Sequence, residues 1–330
     1  MTRWPLLLLL ALLASWPAHA LAQQVISTGA SPVVRVQLRA GSVHVRTWNK
    51  RQVQIASTLP FRARHVSEDV VAGALPPEIT IFSTIVPTAS GPAVLPPEGF
   101  PLGPVLDNPH DGVVVFAGDG ADVTLTIPAS TALLWAIVNR GSIAIDGYRS
   151  GEFVALVRAG GIRLNDVGGD AFLEVGRGPI SMRNCGFNRV RARTAVGNIV
   201  FQNCNVRQIL TTSVNGSIAY DNGTFVPGIA RFESENGNVA IGVAGGGALI
   251  DAHSAGGRIF SGFADGAAVT GTPTDAQAIV GPGGPVVTVT SGRGGIFLYS
   301  GALRAHGKLQ GAWAPIGRIL QQKPAHRGHV

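Results

Sequence analysis

One glycine-centred sentence recurs through the middle of this chain and limits what it can fold into. It reads VNRGSIAI, VRAGGIRL, VGRGPISM, TAVGNIVF, SVNGSIAY, SENGNVAI and SAGGRIFS, centred on Gly141, Gly160, Gly178, Gly197, Gly216, Gly237 and Gly257. The steps between centres are 19, 18, 19, 19, 21 and 20 residues. Two residues after each glycine stands Ile143, Ile162, Ile180, Ile199, Ile218, Val239 or Ile259. Four after it, the first six copies place Ile145, Leu164, Met182, Phe201, Tyr220 and Ile241. The positions seven, five and three before it are mostly apolar or small, as in Leu134/Ala136/Val138 and Ala171/Leu173/Val175. Alternation on both sides of a glycine means two short strands, each with one inward face, joined at a tight corner.

A fixed period with two strands and no room for a helix predicts an all-β fold: a single-stranded β-solenoid of ~19-residue coils, about eight to ten of them. Equivalent residues of successive coils then stack roughly 4.8 Å apart. The glycines become structural corners, where a Cβ would block the dihedral or the approach of the next coil. A β-sandwich with accidental spacing would not need the same inward offsets in every copy. Composition fits: 44 glycines, two methionines and only 14% charged residues are poor material for exposed helices.

Residues 1–22 read as a signal peptide, with Arg3, an apolar run from Leu6 to Leu13, and Ala20 and Ala22 before the cut. That run is too short for a transmembrane anchor, so the mature chain is expected to be exported, either periplasmic or at the cell surface. Residues 23–58 carry an early copy of the sentence around Gly41, a first coil or an end cap. The register is lost over 59–119, where nine prolines lie between Pro76 and Pro109; this reads as an insertion with a strand at Ile79–Val86 and a proline-rich loop at about 87–112. Repeats are expected over 120–301, with one degenerate coil between Gly257 and Gly294. The tail, 302–330, carries Arg304, Lys308, Arg318, Lys323 and Arg327 and no acid, and is expected to be partly disordered.

The stretches VVRVQLRAGSVHVRTWNKRQVQI and IPASTALLWAIVNRGSIAIDG resemble the bacterial "putative adhesin" family, exported β-strand repeat proteins otherwise known as a domain of unknown function. The resemblance covers roughly residues 31–57 and 122–300. It implies an adhesion or envelope role and prescribes no catalytic residues.

Side chains at matching offsets are the candidates for function. Cys185 and Cys204 both lie seven residues after their glycines, so stacking brings them within reach of a disulfide in an oxidising compartment; free thiols in a buried stack are the other reading. Asp166, Asn184, Asn203 and Asn222 lie six after theirs, which predicts an asparagine ladder at a second corner. The outward positions six and four before the glycine hold Trp135/Ile137, Val154/Leu156 and Phe172/Glu174, then Arg191/Arg193. Such an apolar patch is covered, by the insertion or by a partner, or used for binding. Arg189, Arg191, Arg193 and Arg207 form a basic patch suited to an anionic glycan.

Net charge is +7 and falls by one with Arg3, which favours acidic partners, but no basic stretch is interleaved with aromatics, so nucleic acid is not expected. The acids Asp146, Asp166, Asp170, Glu174, Asp221, Glu233, Glu235 and Asp251 do not share one outward offset, and no metal-ligand spacing or phosphate loop is present. The expected function is therefore a non-catalytic binding or structural module of the cell envelope, without cofactor or metal, whose partner is an envelope glycan or a protein. A carbohydrate-active enzyme on a β-helix, or a periplasmic scaffold for a protein partner, are the alternatives.

Overall fold

The computed structural model describes residues 22–66, 87–88, 91–92, 112–117, 120–263, 267–303 and 314–321. Strands β1 (Ala22–Ser27), β2 (Val33–Trp48), β3 (Gln52–Ser57) and β4 (Phe61–Val66) come first, then the two-residue β5 (Pro87–Thr88) and β6 (Gly91–Pro92). The repeats begin with β7 (Gly112–Ala117), β8 (Ala121–Pro128), β9 (Leu133–Asp146), β10 (Glu152–Asn165), β11 (Gly168–Arg177) and β12 (Ile180–Arg183). They continue as β13 (Gly186–Val196), β14 (Ile199–Gln202), β15 (Asn205–Asn215), β16 (Ile218–Phe225), β17 (Ala230–Ser234) and β18 (Val239–Val243). The chain closes with β19 (Ala248–Ser254), β20 (Ile259–Gly262), β21 (Ala268–Gly271), β22 (Asp275–Val280), β23 (Val286–Ser291), β24 (Ile296–Ser300) and one helix, α1 (Ala314–Gln321).

The fold is all-β, and its repeats pair in parallel with the registers the glycine spacing dictates. Gly160 faces Gly141, Ile162 faces Ile143 and Leu164 faces Ile145; Ile180 faces Ile199 and Met182 faces Phe201. The pairings close a ring of seven parallel strands, β10–β11–β13–β15–β16–β14–β12 and back to β10. β10 makes this closure because it runs unbroken through its corner at Gly160 and serves both walls. A Cβ on Gly160 would lie 1.5 Å from the carbonyl oxygen of Gly141, so each corner presses on the backbone of the tier before it.

The expected single-stranded solenoid is met only in part, because the tiers do not rise in chain order. At one end β7 and β8 pair along one edge of β2, while β9 pairs along the other, so the Gly41 tier lies inside the stack. At the other end β23 and β24 lie between the Gly237 and Gly257 tiers: β17 and β19 both pair with β23, and β18 and β20 both pair with β24. The corner atoms agree: a Cβ on Gly294 would meet Gly237 O at 2.1 Å, and one on Gly257 would meet Gly294 O at 2.2 Å. No degenerate coil follows Gly257 among the described residues. Instead β22 folds back antiparallel on β19, and β21 antiparallel on β22. Antiparallel strands also finish the first end, β4 on β7, β3 on β8 and β1 on β3. Capping strands of this kind stop the stack from presenting a full parallel edge.

The core is one continuous column of inward side chains, with Val34, Val36 and Leu38 at one end and Ile250, Val287 and Leu298 at the other. Its aromatic heart is Phe201, Tyr220, Phe225 and Phe232, with Tyr220 and Phe225 stacked at 4.6 Å between centroids. A second, smaller cluster lies outside the other wall. There α1 buries Ile316, Ile319 and Leu320 against Val200, Ala219, Ala240, Phe297 and Tyr299. The small side chains of Ala219 and Ala240 leave room for the helix. Asp221, also buried, accepts from Tyr299 Oη at 3.0 Å and from the Leu303 N–H at 2.8 Å, which ties the chain down just before the helix. The tail expected to be partly disordered thus holds a docked helix among its described residues. The expected insertion starts and ends on the paired strands β4 and β7. The strand expected at Ile79–Val86, most of the proline-rich loop and the signal peptide up to residue 21 lie outside the described residues.

The second corner has its own ladder. Asp166, Asn184, Asn203 and Asn222 all adopt left-handed dihedrals, φ 56°, 55°, 54° and 54°, at the offset where the Gly141 tier has Gly147 at 74°. Asn and Asp tolerate that region better than other side chains with a Cβ. Asn203 Nδ2 donates to Asn184 Oδ1 at 3.2 Å, and Asn222 Nδ2 donates to Asn203 Oδ1 at 2.7 Å. Asn203→Ala should therefore cost about 2 kcal/mol, adding left-handed strain to two lost hydrogen bonds. Asn203→Gly keeps the dihedral and should cost less. Thermal unfolding of the two variants side by side checks the order.

Candidate functional site

The outward wall divides into three regions. In the first, Trp135, Ile137, Val154, Leu156 and Phe172 form one layer, with Val154 facing both Trp135 and Phe172 and Leu156 facing Ile137. All five are buried, none more than 5% exposed. The expected interaction face is therefore a closed layer rather than a free surface. The Arg35 guanidinium stands 5.0 Å over the Trp135 ring, and burial lowers its pKa. The insertion expected to cover this layer lies mostly outside the described residues.

The second region holds two members of the expected basic patch, Arg191 and Arg193, while Arg207 is exposed. Arg191 and Arg193 are half-buried beside Glu174, whose pKa is raised by burial against the opposing pull of both arginines. Burial lowers Arg191, with Arg193 adding to the effect. Arg189 belongs to the third region.

That region is a groove of ≈ 430 Å³ across three successive tiers, lined by Arg149, Gly151, Glu152, Gly168, Gly169, Asp170, Gly186 and Asn188. Glu152, Asp170 and Arg189 each lie eight residues before a glycine corner, and strand register stacks them: Glu152 faces Asp170, which faces Arg189. Arg189 Nε donates to Asp170 Oδ2 at 2.9 Å, and its Nη2 makes a second contact with the same oxygen. The same Nη2 lies 3.7 Å from Glu152 Oε1. Each carboxylate keeps one oxygen, Glu152 Oε2 and Asp170 Oδ1, buried and without a hydrogen-bond partner among the described residues. The Glu152 pKa is raised, first by burial, then by Asp170, with Arg189 opposing. Arg149, mostly exposed at the rim, pairs with Asp166 of the ladder.

A raised carboxyl pKa has a signed consequence. Folding leaves Glu152 easier to protonate than in the unfolded chain, so its contribution is fully present below the unfolded value, about pH 4, and is lost as pH rises through the folded value. Glu152→Gln, which cannot ionise, should be near neutral in stability below about pH 4 and increasingly more stable than wild type as pH rises above it. Thermal unfolding across that range checks this. A Tm difference that does not grow with pH would contradict it.

Sequence reasoning missed this triplet. Glu152, Asp170 and Arg189 share the outward position eight before the glycine, one step beyond the apolar side chains at offsets six and four. The cysteines lie elsewhere, inside the core: Cys185 and Cys204 are free thiols, 2% and 0% exposed. Hydrogen bonding to Cys185, reinforced by burial, pushes the Cys204 thiol up. No group of three or more His, Cys, Asp or Glu among the described residues is placed to hold a metal ion.

No family model matches the chain, and no curated protein does. Among solved structures it is similar to a chain described as a putative cell adhesion protein from Clostridium sporogenes. The two share 9% sequence identity at a TM-score of 0.26, over 85% of this chain and 99% of that one. A likeness at that level assigns neither fold nor function. The resemblance to the adhesin family thus rests on the glycine repeat itself.

Proposed function

We propose that this chain is an exported, non-catalytic binding module of the cell envelope, built as a solenoid-like stack, whose groove at Glu152, Asp170 and Arg189 takes a polyhydroxylated glycan. The observation that carries the reading is the alignment of these three side chains in consecutive tiers over a glycine-lined floor. A sugar hydroxyl both donates and accepts, so it suits a groove lined by two carboxyl side chains beside arginine and asparagine donors. At Gly186 the missing Cβ leaves open space beside the backbone. The rigid tiers on either side hold the spacing of the three groups fixed. Export rests on residues 1–22. No helix among the described residues is long and apolar enough to cross a membrane.

Titration calorimetry against polysaccharide extracted from a bacterial envelope tests the reading. Wild type should bind, and Asp170→Asn and Arg189→Ala should each weaken binding by about tenfold or more, the range expected for one charged hydrogen bond. Unchanged affinity in both variants would remove the groove from the account. A second reading has one observation in its favour: Glu152, its pKa raised by burial, faces the Arg189-paired Asp170, and glycosidic hydrolysis uses two carboxyl groups of which one donates a proton to the leaving oxygen. Release of reducing sugar by wild type and its loss in Glu152→Gln would establish that reading instead.

A further inference from the structure

The two ends of the stack are finished differently. At the first end the capping strand β4 carries the exposed Arg62, a charge of the kind that keeps a sheet edge from pairing with another chain. At the other end the last strand is β21, Ala268–Gly271, with the sequence AVTG and all four residues exposed. It holds neither charge nor proline, and among the described residues it pairs only with β22. The chain as a whole carries 26 Lys and Arg, yet none falls between Ile259 and Gly292.

The side chains beside this edge are apolar on both faces. Val269 faces Ala278, which faces Ile250, so it continues the inward column; but the column ends here and Val269 is left 40% exposed. Core positions on the same tier are also incompletely covered: Ile259 and Phe263 are only partly buried, whereas Ile143, Ile180, Ile199 and Ile296 are fully so. On the outward face, Ile279 packs beside Leu249 and Leu249 beside Val286, and Ile279 and Val286 are 47% and 53% exposed.

We propose that this end is a self-association surface: β21 pairs antiparallel with β21 of a second copy across a two-fold axis, and joins the two stacks end to end. Among the described residues, the sheet bonds within a copy leave one edge of β21 with donors and acceptors free, and an identical strand supplies their complement. A two-fold perpendicular to the sheet keeps inward side chains inward, so Val269 of each copy covers the open column of the other. The same operation continues the outward Ile279 row. Charge selects the occupant. In a basic chain, this is the end where two copies meet without opposing cations, whereas β4 would set arginine against arginine. Four residues give a short ladder, so the dissociation constant is expected on the order of micromolar.

Sedimentation velocity on the purified protein, over a concentration series spanning micromolar to sub-millimolar, tests this. Wild type should pass from monomer to dimer and stop there. Val269→Lys and, on the other face of the same strand, Thr270→Lys should each shift the midpoint to at least about tenfold higher concentration. Both positions are exposed, and unchanged far-UV circular dichroism confirms that the variants fold. Ala63→Lys on β4 should leave the wild-type dimer unaltered. A wild type that stays monomeric throughout overturns the proposal. So do dimers insensitive to both lysines, and so does open-ended growth, which would mean head-to-tail stacking instead of a two-fold pair.

Discussion

Gly160→Ala should yield no folded protein, whereas Gly186→Ala, two tiers away on β13, should behave as wild type. At Gly160 φ is +141°, a conformation that L side chains avoid, and the added methyl would sit 1.5 Å from Gly141 O. That contact is with backbone, so no rotamer change relieves it. The tiers must part, and the hydrogen bonds between β9 and β10 that flank the corner go with them. Gly178 presses on Gly160 O in the same way, so the disturbance passes to both neighbours. The cost should exceed ~5 kcal/mol, more than a protein of ordinary stability can absorb. At Gly186 a Cβ meets nothing within 4 Å, and the change should stay within about 0.5 kcal/mol. Soluble yield and circular dichroism of the two variants suffice to check the contrast. Equal behaviour would mean that the corners do not hold the stack.

Phe232→Ala should be the most damaging truncation that still leaves a folded chain. Phe232 is fully buried, with ring centroids 5.6 Å from Tyr220, 6.1 Å from Phe225 and 6.5 Å from Phe201. Tyr220 has no freedom to collapse into the space. Its hydroxyl donates to the carbonyls of Cys204 at 2.8 Å and Thr224 at 3.0 Å. Gly223, under the Tyr220 ring, closes the remaining room, since a Cβ there would lie 2.1 Å from the ring. The cavity therefore persists, and a loss of about 3–5 kcal/mol is expected, seen as a fall in Tm of roughly 10 °C. Phe260 is partly buried and stacks on Phe297 alone among the described ring pairs, at 4.9 Å. Its truncation should cost clearly less.

The inward offsets, the glycine corners and the left-handed asparagine positions were legible because each is repeated at a fixed distance from one marker residue. Physical necessity writes them into every tier: an apolar inward row, a corner without a Cβ, a corner that tolerates positive φ. Tier order was not legible, because every tier offers the same lateral pairing and the repeat says nothing about which neighbour accepts it. Gly237, Gly294 and Gly257 satisfy the same corner rule in any order. One local cue existed in the stretch Gly281-Pro282-Gly283-Gly284-Pro285, which fits a reversal between β22 and β23 better than a weakened coil. The helix was missed for another reason. Pro315 followed by Ile316, Ile319 and Leu320 has a helix-start proline and a one-sided apolar stripe, but the surrounding arginines and lysines drew attention to charge. The outward Trp135–Phe172 layer was recognised as apolar, whereas its burial depends on contacts that no local pattern encodes. The Glu152–Asp170–Arg189 groove was within reach of the repeat, one outward position beyond those examined.

The order of the tiers, in which β23 lies between β17 and β19, is the central feature of the fold, and cysteine cross-linking measures it directly. In β23, Thr290 lies between Glu233 of β17 and His253 of β19, paired with each. Neighbouring strands place Cα atoms close enough for a disulfide, and strands two apart do not. In a background with Cys185 and Cys204 replaced by alanine, Glu233→Cys with Thr290→Cys should cross-link on mild oxidation. Glu233→Cys with His253→Cys should stay reduced. Cross-linking of the 233–253 pair, with none at 233–290, would mean that the tiers follow the chain in sequence and that the stack described here is wrong.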